Sequence, residues 1–140
     1  MNNKAHWGFW VIALLGLLWN AGGIMNYMMQ MKPEFVASMP DAHRAIIEGR
    51  PSWATGGFAI GVFGGALGCL LLLLRKKIAG PVFMVSLMGI FVTMIHALGI
   101  AVSGNDVSIS VIFQIIVLPI LVANFLIGLT FYALKKEWLA

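Results

Sequence analysis

Asn20, Asn26, Thr93, His96, Gln114 and Asn124 stand inside otherwise apolar stretches of the chain, and no carboxylate, lysine or arginine accompanies them there. Amides, hydroxyls and an imidazole donate and accept hydrogen bonds without a fixed charge. Such a set can hold a polar molecule or tie helices together, but it lacks the machinery for strong ion coupling. Gly16, Asn20, Gly23 and Tyr27 recur at helical spacing on one face, and Ser86, Gly89, Thr93 and His96 on another. An unpaired amide or imidazole against lipid costs several kcal/mol, so both faces are predicted to look inward. Counted from the ends of the apolar runs at ~1.5 Å per residue, His96 and Gln114 each lie ~10 Å deep, with Asn26 shallower and Asn20 nearer the midplane. Trp19 and Trp53 add aromatic faces beside them. Trp19, Asn20, Trp53, His96 and Gln114 are therefore the candidate solute-binding wall, and interhelical hydrogen bonding is the competing explanation of the same groups.

Other chemistry is thin. Met25, Met28, Met29 and Met31, with Met39 and His43 nearby, form a thioether cluster of the kind that suits Cu(I). Methionine is equally a flexible apolar filler, and no thiolate joins the group. One membrane histidine cannot supply a bis-histidine haem site, and there is neither a paired carboxylate nor a nucleophile with a base at recognisable spacing. No enzyme activity and no cofactor are expected. The single cysteine, Cys69, excludes a disulfide framework and reads as a small packed residue.

The elements that must position these groups are apolar runs at about 7–29, 53–74, 81–102 and 109–134, separated by an outer loop at 30–52 and two short turns. A helix needs about 20 residues to cross ~30 Å of hydrocarbon. Hydrophobic residues make up 61% of the 140 and charged residues 10%, far from soluble averages of roughly 45–50% and 25%. The predicted fold is all-α: an integral membrane four-helix bundle in a single transmembrane domain, 1–140, with a short amphipathic helix in the first outer loop. A cleaved signal peptide is the alternative for the first run, but its apolar part continues to Met29, beyond the core length of such a peptide.

The net charge of +4 is explained by topology, with no nucleic acid required. Lys4, Arg75-Lys76-Lys77 and Lys135-Lys136 fall on one side, whereas Lys32, Arg44 and Arg50 on the other are matched by Glu34, Asp41 and Glu48. The excess of basic residues predicts that both termini are cytoplasmic. Trp7, Trp10, Tyr27, Trp53, Tyr132 and Trp138 read as interfacial anchors.

Gly57, Gly61 and Gly65 repeat every fourth residue, with Gly64 and Gly68 on an adjacent ridge. Missing side chains let another backbone approach closely, so this ridge is predicted to pack helices, within one subunit or between subunits. Ser38, Pro40 and Asp41, followed by Ala42, Ala45 and Ile46, predict one helix of about ten residues in the outer loop, ended by Gly49. Ser103-Gly104-Asn105-Asp106 marks the last turn. Pro119, in mid-span, removes an amide donor and crowds the carbonyl of Ile115, which predicts a kink.

Leu18-Trp19-Asn20, Pro51-Ser52-Trp53-Ala54, Phe63-Gly64-Gly65 through Gly68-Cys69 to Arg75-Lys76-Lys77, Pro81, Phe83 and Ser86-Leu87 together carry a resemblance. The chain resembles, over most of its first hundred residues, a family of small bacterial four-span membrane proteins often labelled sugar transporters. That resemblance implies the bacterial inner membrane and passage of a neutral polyol, and it brings no defined binding residues with it. Two functional classes follow: passage of a small neutral polar, sugar-like solute, and a non-transporting accessory or scaffold subunit in a homo-oligomer or a larger membrane complex. Handling of Cu(I) by the methionine cluster is a third. The lipid bilayer is the expected partner, and the thin core of a four-helix bundle points to further copies or a membrane-protein partner.

Overall fold

The computed structural model describes residues 4–104 and 106–140; Asn105 of the last turn lies outside the described residues. Four crossings are formed by α1 (Trp7–Gln30), α4 (Ser52–Leu73), α5 (Ala79–Val102) and a broken fourth helix over Ile109–Lys135. Each is long and apolar enough to cross a membrane, and the chain is a multi-pass membrane protein with an all-α bundle fold. Residues 4–6, residues 136–140 and the 74–78 turn share one end, here the terminal end; the 31–51 connection and the described residues of the last turn share the other, the loop end.

The ends of the helices follow local chemistry. The ring of His6 accepts the Gly8 N–H at 3.1 Å and opens α1. Helix α5 starts two residues before Pro81, which is tolerated because the first amides of a helix have no partner within it. Two connections take a left-handed backbone at a glycine, Gly49 (φ 74°) and Gly104 (φ 84°), where it carries no steric penalty, and the 74–78 turn takes one at Arg75 (φ 56°).

The loop segment departs from the single helix predicted for it. It holds two short helices, α2 (Pro33–Ala37) and α3 (Asp41–Ile47). Ser38 does not cap α3; it ends α2, and its hydroxyl donates to the Phe35 carbonyl at 2.6 Å. Pro40 divides the two, because a proline offers no amide to continue α2 and biases Met39 away from helical backbone. Ile46 of α3 is buried with Ala97 of α5 and Ile116 of the fourth crossing, so α3 lies across the loop end of the bundle.

Helices α4 and α5 meet backbone to backbone. A methyl at Gly57 would stand 2.8 Å from the Gly89 carbonyl oxygen, and one at Gly89 would stand 2.7 Å from the Gly57 oxygen. Farther along, Gly61 faces Ile90, Gly64 faces Ser86 and Gly68 faces the Phe83 ring, while Ser86 donates to the Gly61 carbonyl at 2.6 Å. Gly65 turns to α1 instead, where Asn20 fills the space a side chain would need. These glycines thus pack helices of one chain. Lipid gives no hydrophobic drive between helices, so close dispersion contact of this kind has to supply the attraction.

The terminal end is sewn shut. Phe9, Ala13, Cys69, Leu72, Ala79, Phe83, Leu126, Ala133 and Leu139 form one buried cluster. The last residues fold back on the 75–77 turn: Ala140 N–H donates to the Arg75 carbonyl at 2.7 Å, Lys77 N–H to the Ala140 oxygen at 3.0 Å, and Arg75 Nε to the Trp138 carbonyl at 2.5 Å. Helices α1 and α7 (Leu118–Lys135) touch mainly in this half, where Leu126 fills the space beside Gly16. In the other half they stand apart.

Candidate functional site

That separation leaves a cavity of about 580 Å³ between the terminal-end cluster and the cover formed by α3. Its walls are α1, α4, α5 and the fourth crossing. Among the predicted wall residues, Trp19, Asn20, His96 and Gln114 line it, joined by Asn26 and Thr93. Trp53 does not. It is 53% exposed, and its ring meets His96 edge-on at 6.1 Å from outside the cavity, because it stands one turn before Gly57 on the ridge that packs against α5. Asn124 is also elsewhere, exposed on α7 with its amide folded back to the Ile120 carbonyl at 2.8 Å.

Each lining group is held by an identifiable element. Asn20 forms part of the floor: its Nδ2 donates to the Gly16 carbonyl at 2.8 Å and lies 3.9 Å from Cys69 Sγ. It is 8% exposed and packs against Gly65, so its side chain fills the gap between α1 and α4. His96 Nε2 lies 3.3 Å from the Ile46 carbonyl, and since a carbonyl only accepts, that nitrogen carries the proton and ties α5 to the cover. Gln114 sits in a π-helical turn, Phe113–Val117, which follows α6 (Ile109–Ile112). Leu118 N–H reaches back five residues to the Phe113 carbonyl. The turn is the fold's answer to Pro119: with no amide at 119 to serve Ile115, the helix widens by one residue and directs Gln114 and Ile115 into the cavity.

Three groups outside the apolar runs complete the lining at the loop end: Gln30, His43 and Arg50. Gln30 continues the Asn20–Gly23–Tyr27 face and was legible from that spacing. Arg50 was hidden by its charge count. The sequence offers it a carboxylate, but Arg44 takes two of them, pairing with Asp41 and lying 3.9 Å from Glu48. Arg50 instead donates to the Thr55 hydroxyl at 3.2 Å and stands over the Phe58 ring at 5.3 Å. Burial pushes its pKa below the ordinary arginine value, with Tyr27 opposing, and the guanidinium stays charged throughout the physiological range.

The methionine cluster is not gathered. Met25, Met28, Met29 and Met31 are exposed on the outside of α1, and only Met39, near His43, reaches the cavity. Among the described residues no three His, Cys, Asp or Glu side chains come together. A second, wholly apolar groove of about 600 Å³ runs between α1 and α7 along Ile12, Leu15, Leu121 and Phe125, sharing Trp19, Val122 and Leu126 with the cavity.

No family matches the chain, and neither a curated protein nor a solved structure matches it. The resemblance carried by Leu18-Trp19-Asn20 and the glycine-to-basic-turn segment therefore stands on the sequence pattern alone.

Proposed function

We propose that this protein is a carrier for a small solute with hydrogen-bonding groups, and that the cavity is its binding site. The observation that supports it is a chamber reaching from the loop end to about mid-membrane, lined by Asn26, His96 and Gln114 and closed below by a fully packed half. A one-sided chamber of this size suits binding and release by alternating access; an open pore would need a path through the terminal-end cluster. The basic residues of the terminal end put that end in the cytoplasm and the chamber on the outside. Sugar-like solutes are the first class to test, since they are what the sequence pattern implies. Location in a bacterial inner membrane follows the same pattern.

The test is uptake of labelled sugars into proteoliposomes by the native protein and by His96→Ala, Gln114→Leu and Trp53→Ala variants. Saturable uptake that falls in the first two and persists in the third supports the carrier. Equal leak in every sample refutes it.

The apolar groove between α1 and α7 favours one alternative, an accessory subunit that receives a partner's helix there. Extraction in mild detergent distinguishes the two: a carrier comes out alone or with further copies, an accessory subunit comes out attached to a larger protein.

A further inference from the structure

The cavity's polar and apolar groups are segregated along the membrane normal. At the loop end lie Arg50, His43 and Gln30; toward the midplane the walls become Trp19, Val122 and Leu126. Asn20, the one amide at that depth, already donates to Gly16 and presses against Gly65. Beside it only the Thr93 hydroxyl stands at that depth, so the deep half offers a ligand hydroxyl fewer partners than the loop end, and a hydroxyl buried without a partner is costly.

The shallow half has the opposite character. Arg50 is drawn out of water with no carboxylate partner among the described residues, held only by a hydroxyl and a ring. Gln30 Oε1 and His43 Nδ1 are buried there without a hydrogen-bond partner. The Gln30 amide can turn to present its NH2 group, and His43 can present an N–H, so all three can donate toward the same end of the chamber. A partly buried cation beside side chains able to donate is most stable with an anion among them.

We propose that the ligand of this cavity is an anionic amphiphile. Its charged head seats against Arg50 with Gln30 and His43, and its apolar body runs down the chamber to Trp19, Val122 and Leu126. The distance fits: Gln30 and Trp19 are separated by about 16 Å along α1. Because Trp19, Val122 and Leu126 also border the apolar groove between α1 and α7, a longer chain can continue from the chamber into lipid. This assignment rests on the cavity being the binding site of the carrier, and it names the class of molecule carried.

The test uses the full chain in phosphatidylcholine nanodiscs at mildly alkaline pH, titrated with ω-bromoundecanoate and, separately, ω-bromoundecanol, whose bromine quenches nearby tryptophan. Subtracting the signal of a Trp19→Phe variant isolates quenching in the chamber from quenching in bulk lipid. The expected result is saturable Trp19 quenching by the carboxylate at concentrations at least about tenfold lower than by the alcohol, the scale of one charge-assisted hydrogen bond. Arg50→Gln abolishes the preference, and Arg50→Lys, which keeps the charge and controls for folding, retains part of it. Equal midpoints for acid and alcohol, a preference that survives in Arg50→Gln, or no saturable Trp19 component overturns the assignment. The two proposals fail separately. Sugar uptake without chamber quenching sinks the amphiphile and keeps the carrier, whereas Arg50-dependent quenching without uptake of any probe sinks the carrier and keeps the ligand class.

Discussion

Gly56 and Gly57 are adjacent on α4 and chemically identical, yet alanine is expected to act oppositely at the two positions. A methyl at Gly56 meets nothing within 4 Å. Replacing an unconstrained helical glycine by alanine gains up to ~1 kcal/mol through reduced backbone freedom in the unfolded chain. A methyl at Gly57 meets the Gly89 oxygen at 2.8 Å, Val92 Cγ1 at 3.0 Å and the Thr93 amide nitrogen at 3.1 Å. Two of those three neighbours are backbone, which cannot rotate aside. Restoring ordinary contact, from 2.8 to 3.4 Å, requires the helices to move apart by about 0.6 Å. A gap of that size forfeits a quarter to a half of each dispersion well along the α4–α5 seam. Overpacking of this kind costs ~1–3 kcal/mol. Since the unfolded-chain term is common to both, the two variants should differ by the overpacking cost, ~1–3 kcal/mol, about fivefold or more in the folding equilibrium. Unfolding in mixed micelles by titrated dodecyl sulfate, followed by circular dichroism, measures the difference directly. If Gly57→Ala and Gly56→Ala unfold within ~0.5 kcal/mol of one another, the backbone contact between α4 and α5 is not what holds this pair together.

Three further outcomes are expected. Ser86→Ala deletes the 2.6 Å bond to the Gly61 carbonyl and should lower stability by ~0.5–1.5 kcal/mol in the same titration, because the hydroxyl bridges two helices and Ser86 is only 3% exposed. Pro119→Ala restores the missing amide and allows the π-helical turn to relax to a regular α-helix, rotating residue 114 by about 100° away from the chamber. In a Cys69→Ala background, a Gln114→Cys thiol should react readily with an aqueous maleimide; adding Pro119→Ala should slow that reaction sharply, and an unchanged rate would refute the role given to the proline. Cys69 itself is 0% exposed below the chamber floor and should stay unlabelled in the folded protein but label fully in denaturing detergent.

Composition and the length of the apolar runs were enough to determine four crossings, because hydrocarbon leaves the backbone no partner but itself and a crossing no shorter than about 20 residues. Helical phase likewise determined that Asn20, Thr93 and His96 face inward, and the four-residue repeat of Gly57 and Gly61 that α4 packs closely. Which helix the ridge meets was decided by the tertiary structure: both Gly57 and Gly61 face α5, while Gly65 receives Asn20 of α1. The same holds for the site. A phase argument on one helix cannot say that Trp53 looks past its neighbour, that Pro119 re-aims Gln114 through a widened turn, or that Pro40 folds the outer loop into two helices laid over the bundle. Charge counting balanced Arg50 against a carboxylate that α3 gives to Arg44, since a count carries no distances. Local chemistry fixes what each helix can present; only the packing of one helix on another fixes which of those groups share a chamber, because that depends on contacts between residues far apart in the chain.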